Sequence, residues 1–190
     1  MPPKRLLGGE TSIHALVASL PYVSKYEVIK TYPHDSSAFT QGLAFGPNGE
    51  LYESDGLYGR SILREVDVAT GKSVRATRMS STYFGEGAVA HGGKLIQLVW
   101  KRDAILEYSL PELRLLREVR VRIGREGWGL ATDGSRLYLT DSSTRLYHVR
   151  PGTYAIESSV EIRDAALGKP VHGLTELEYA YMYICNIYIH

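Results

Sequence analysis

The sequence predicts an all-β fold, a β-propeller, on three observations. A glycine-centred motif recurs through the chain, from Gly42 to Gly87 over 45 residues and from Gly87 to Gly129 over 42. Each copy is followed by a turn dipeptide and short runs of strand character. The composition, with 19 Gly and 14 Tyr against 3 Phe, suits many strands and tight turns better than a helical bundle. Four short strands per repeat of this period make one propeller blade, whose first strand lines the central channel.

The elements follow in chain order. Residues 1–24 read as a poorly ordered lead or the remnant of a longer targeting segment. Lys4 and Arg5 precede Leu6 and Leu7, but Glu10, Thr11, Ser12 and His14 break the apolar run that a secretory segment needs. Tyr26 to Tyr32 reads as an extra strand, and residues 25–190 as the partial propeller. The first inner strand is Gln41-Gly42-Leu43-Ala44-Phe45, the second Glu86-Gly87-Ala88-Val89-Ala90, the third Trp128-Gly129-Leu130-Ala131-Thr132. Asn48-Gly49, Gly92-Gly93 and Asp133-Gly134 then read as two-residue hairpin turns with φ > 0 at both positions. Third strands are expected at Ile62 to Val68, Ala104 to Ser109 and Thr144 to Val149. Outer strands are expected at Ser73 to Met79, Leu115 to Ile123 and Tyr154 to Ile162. In the second of these, Val119, Val121 and Ile123 alternate with Arg120 and Arg122, as in a half-buried strand with its arginines in water. A fainter fourth copy begins at Leu177-Glu178-Tyr179, with Glu178 in the place of the glycine. The expectation is three blades and part of a fourth, the propeller being cut short at its C-terminal end, since only a closed ring hides its edges.

Composition narrows the function. Twenty-two Lys and Arg against 21 Asp and Glu leave a net charge of +1, giving no reason to expect nucleic acid or an anionic membrane as partner. The lone Cys185 excludes an intrachain disulfide, and the six histidines lack metal-ligand pairing. Neither a metal nor another cofactor is expected, and no apolar run is long enough for a spanning helix.

The chemically loaded positions lie at the start of the inner strands. Glu86 stands between Gly85 and Gly87, where a substrate can approach it; among aromatics its carboxyl would be desolvated and able to carry protons near neutral pH. A turn glutamate is the alternative. Gln41 and Trp128 occupy the same repeat position, and three different residues there argue for a site, since a structural position tends to repeat its residue. Phe39 precedes Gln41 by two, which puts both on one strand face. Trp100 and Trp128 are the only tryptophans and suit either a core or a pocket wall.

Several segments together resemble the plant and bacterial type of glutaminyl-peptide cyclotransferase. They are Tyr32-Pro33-His34-Asp35 with Ala38 to Leu43, Glu53-Ser54 with Gly56 to Ser61, Tyr83 to Gly87, Gly127 to Gly134, and Glu176-Leu177-Glu178-Tyr179. The resemblance runs unbroken over about residues 26–188. It implies a five-bladed β-propeller that turns the N-terminal glutamine of peptides or proteins into pyroglutamate and releases ammonia, without metal. It implies Glu86 as the proton-transfer carboxylate and Phe39, Gln41, Trp100 and Trp128 as substrate-pocket residues. Cys185-Asn186-Ile187-Tyr188 resembles the strand that carries the family's oxyanion donor, which makes Asn186 the second catalytic residue. The resemblance also implies a secretory or extracytoplasmic setting. A non-catalytic propeller that binds peptides or partners through its central face, or an inactive truncated product, is the reading from a different class.

Overall fold

A computed structural model describes residues 27–122, 126–164 and 167–179. Twelve strands and no helix occur among them. They form three four-stranded antiparallel sheets in sequence order. The first holds β1 (Thr40–Phe45), β2 (Leu51–Asp55), β3 (Ile62–Asp67) and β4 (Lys72–Arg78). The second holds β5 (Gly85–His91), β6 (Lys94–Val99), β7 (Ala104–Ser109) and β8 (Leu115–Arg120). The third holds β9 (Leu130–Thr132), β10 (Leu137–Thr140), β11 (Arg145–Val149) and β12 (Ile156–Glu161). These are the blades that the repeat predicts, and β1, β5 and β9 pack side by side as inner strands.

Burial follows the blade geometry. One apolar cluster joins the first two sheets through Tyr52, Leu63, Leu95, Leu106, Tyr108 and Leu113. A second joins the next two through Ile96, Leu98, Ile105, Leu137, Leu139 and Tyr154. The outer strands carry few buried residues: Leu115 and Leu116 of β8 and Val74 of β4 are exposed. Val119 is half-buried while Arg120 and Arg122 face solvent, as the alternation predicts, although β8 ends at Arg120.

The recurring glycine marks where inner strands touch. A Cβ on Gly42 would lie 2.7 Å from Ala88 N and 2.9 Å from Gly87 Cα. One on Gly87 would lie 2.5 Å from Trp128 O and 2.7 Å from Leu130 N. One on Gly129 would run into Thr175 O and Leu177 N. Each glycine thus admits the backbone of the next inner segment at a distance no side chain allows.

Three details correct the sequence reading. Leu177 stands to Gly129 as Leu130 stands to Gly87, so the residue at the fourth glycine position is Glu176, two places before Glu178; no turn dipeptide follows there to fix the register. Of the three turns, only Gly92-Gly93 is a two-residue hairpin with φ > 0 at both positions (58° and 75°). The other two loops are longer, and in them only Gly49 and Gly134 take positive φ. Asp133 organises its loop by accepting the Ser135 and Arg136 N–H groups. Residues 27–32 form no strand, and Val28 and Ile29 are exposed. The lead, and the run from 180 that holds Asn186, lie outside the described residues.

Candidate active site

Each inner strand opens with a β-bulge, and the bulges carry the residues singled out above. Between β1 and β2 the register passes from Thr40↔Asp55 to Gly42↔Ser54, leaving Gln41 as the extra residue. Between β5 and β6 it passes from Gly85↔Val99 to Ala88↔Gln97, so Glu86 and Gly87 share one opposing residue. Before β9, Trp128 N donates to Thr140 O at 3.0 Å and Thr140 N donates to Gly129 O at 3.1 Å, so Thr140 opposes both. A bulge breaks strict alternation and re-aims a side chain. This is why Gln41, Glu86 and Trp128 leave the blade faces together. It also replaces the simple one-face relation expected of Phe39 and Gln41.

A continuous aromatic set runs through Phe84, two residues before Glu86, and Trp128, whose carbonyl accepts the Gly87 N–H. Phe39 meets Phe84 edge-on at 6.1 Å; Tyr58 lies 5.5 Å from Phe84 and 6.2 Å from Trp100. Phe84 and Trp100 are 5.4 Å apart, and Trp100 and Trp128 are 6.4 Å apart at 83°. Gln41 joins this set through Gly56, whose Cα faces both the Gln41 stem and the Phe84 ring. Phe39 is half exposed, at 49%, and Tyr58 at 52%, so these rings form an open rim. Asp55 Oδ1 accepts the Phe39 N–H at 2.7 Å, and Phe39 O accepts the Gly56 N–H at 2.8 Å. Burial raises the Asp55 carboxyl above its ordinary value, against the pull of that N–H. The segment leading to Phe39 is anchored by Arg64, which donates to Glu53 and Asp35 at 2.9 Å each.

Glu86 is 2% exposed. Burial, then the charges of Glu176 and Glu126, push its carboxyl up to about 9. Among the described residues no group hydrogen bonds that carboxyl. Its backbone, by contrast, is pinned. Ser54 Oγ donates to Glu86 O, Gln97 Nε2 donates to Ser54 Oγ at 2.6 Å, and Tyr108 OH donates to Gln97 Oε1 at 3.1 Å. All four residues are buried. Gly85 N donates to Ser61 Oγ at 3.0 Å, and Gly87 N to Trp128 O at 2.8 Å. Tyr108→Phe strips the donor from the end of this chain and leaves Gln97 Oε1 short of a partner; urea denaturation should show a loss of about 1–2 kcal/mol.

Glu126 takes the opposite state. Burial raises its carboxyl, but the Trp128 and Trp100 indoles and Lys101 outweigh that and hold it below the ordinary glutamate value. Environment alone thus drives two glutamate carboxyls in opposite directions, Glu86 toward the neutral form and Glu126 toward the charged one. Glu176 is also raised, chiefly by burial, though its side chain is exposed and water screens part of the effect.

The structure brings Phe39, Gln41, Glu86, Trp100 and Trp128 to one end of the inner strands. Sequence reasoning passed over Tyr58, Phe84, Lys101 and Glu126. The repeat held the signal for two of them: Phe39, Phe84 and Glu126 each stand two residues before a bulge position. Among the described residues no group of three or more His, Cys, Asp or Glu side chains could hold a metal.

The family model for glutamine cyclotransferase matches residues 6–190. The chain belongs to the glutamine cyclotransferase family. It is 40% identical over 157 residues to a glutaminyl-peptide cyclotransferase of Arabidopsis thaliana, a match that takes in 83% of this chain and 48% of that protein. The crystal structure of Myxococcus xanthus glutaminyl cyclase superposes with a TM-score of 0.72 and 31% identity, over 82% of this chain and 63% of that one. The chain thus spans about half to two thirds of the length of these family relatives. The RRP9 WD40-repeat structure, at 11% identity and a TM-score of 0.55 over 78% of this chain and 44% of that one, shares the fold alone.

Proposed function

We propose that the site catalyses cyclisation of an N-terminal glutamine of a peptide or protein to pyroglutamate, with release of ammonia. The observation that carries this reading is the buried carboxyl of Glu86 at a bulge beside the aromatic rim. A binding module needs aromatic walls but no desolvated acid, and burying one costs stability.

The chemistry suits one carboxyl. The substrate's α-amine attacks its own γ-carbonyl carbon, forming the new C–N bond, and the γ-nitrogen leaves as ammonia. Glu86, held neutral, gives its proton to the leaving nitrogen and takes the one lost by the attacking amine, so it ends as it began. Because both reacting groups belong to one side chain and its own amine, Phe39, Gln41, Trp100 and Trp128 have only to hold the cyclic conformer and keep water away. The developing oxyanion requires donors. Asn186 is the candidate that the family resemblance supplies.

The test is mass spectrometry and ammonia release with a Gln-initiated peptide, beside the same peptide N-acetylated. Ammonia loss well above the spontaneous rate from the free peptide alone is expected. Equal rates with and without the protein would remove the cyclase reading for this chain. Phe39→Ala, at the open rim, should raise KM about tenfold with a smaller change in kcat, because about 1.4 kcal/mol of ring contact is lost in binding.

A further inference from the structure

The two tryptophans share a single acceptor. Trp100 Nε1 donates to Glu126 Oε2 at 3.0 Å, and Trp128 Nε1 donates to the same oxygen at 2.9 Å. Lys101 Nζ stands 3.6 Å from the other oxygen, Oε1, and 4.1 Å from the centre of the Trp100 ring. An indole has one donor and no acceptor, so each ring's only polar handle is engaged here. Trp100 is also flanked by Phe84 and Tyr58, whereas among the described residues the ring contact of Trp128 is Trp100 itself.

We propose that Glu126 is a positioning residue, which fixes the mutual angle of the Trp100 and Trp128 indoles and turns their ring faces, not their N–H groups, toward the space beside Glu86. This deepens the cyclase reading and rests on it for its effect on turnover. Two consequences follow. Neither indole N–H remains to stabilise an oxyanion, so that donor comes from another group. The orientation of both indoles is set by one carboxylate oxygen that they share.

The test uses the full chain and three variants. Trp100 and Trp128 are the only tryptophans, so the near-ultraviolet circular dichroism of tryptophan reads this pair alone and needs no substrate. Glu126→Ala should lose most of the tryptophan bands while the far-ultraviolet strand signal stays. Glu126→Gln keeps a carbonyl oxygen for the indoles and should retain them. Lys101→Ala removes the charge beside Oε1 and over the Trp100 ring but leaves both indole hydrogen bonds to Oε2, and should retain the bands also. With a Gln-initiated peptide, Glu126→Ala, which releases both indoles, should raise KM about tenfold and change kcat less. Unchanged tryptophan bands in a folded Glu126→Ala variant, or lost bands in Glu126→Gln, would overturn the proposal. Should the wild-type chain turn over no peptide, the cyclase reading fails, while the spectra still decide the role of Glu126.

Discussion

Glu86→Gln is expected to lower cyclisation by about 10²–10⁴-fold, the usual contribution of a positioned acid–base group, and at the same time to stabilise the fold. The amide keeps the shape of the side chain but can neither give nor take the proton. Its effect on stability follows from linkage. The Glu86 carboxyl ionises near its ordinary 4.5 in the unfolded chain and near about 9 in the folded one. A raised acid contributes stability that is fully present below the lower value and is lost as pH climbs toward the higher. By pH 7 the native state of the wild type has forfeited up to about 3 kcal/mol that a neutral glutamine keeps. Thermal denaturation across about pH 5 to 9 should therefore give a wild-type curve that falls with pH and a flatter, higher curve for the variant. A folded Glu86→Gln protein with undiminished turnover would take Glu86 out of the chemistry, and parallel stability curves would mean that the carboxyl is already ionised in the fold.

The positions of the strands were legible because the repeat reports directly on backbone proximity. Gly42, Gly87 and Gly129 recur for one reason, the close passage of the next inner strand, and a spacing read from glycines alone locates three blades. The fourth copy was misplaced by two residues because Glu176 holds the glycine position and nothing nearby marks it. The bulges were not legible. Register shifts arise from pairing between strands, and Gln41, Glu86 and Trp128 carry no local sign that each is an extra residue. The aromatic rim was half legible: Phe39, Trp100 and Trp128 were singled out, whereas Tyr58 comes from the β2–β3 loop, where Leu57 takes a φ of 83°, and no periodicity extends there. Glu126 was missed because a lone glutamate near a turn has no meaning until two indoles are found on one of its oxygens.

Gly87→Ala should be a severely damaging single-methyl change where the inner strands β5 and β9 meet, costing about 3 kcal/mol or more. The added carbon would lie 2.5 Å from Trp128 O and 2.7 Å from Leu130 N, both backbone atoms that cannot rotate away. Relief requires β5 and β9 to part, which breaks the Gly87 N–H bond to Trp128 O at 2.8 Å and carries the Trp128 ring with it. Stability and site geometry are therefore coupled at this residue. Gly49→Ala is the internal comparison: no atom lies within 4 Å of its Cβ position, and only its φ of 88° opposes the change. That backbone strain is worth about 1 kcal/mol, and it sits in the β1–β2 loop, at the other end of β1 from the Gln41 bulge. Urea midpoints and near-ultraviolet tryptophan spectra, measured side by side, should separate the two. Gly49→Ala lowers the midpoint slightly and leaves the tryptophan bands alone, whereas Gly87→Ala lowers it severely and alters them. Equal midpoints for the two variants would mean that the blades can separate at no cost, and the close approach at Gly87 would then not be what the repeat encodes.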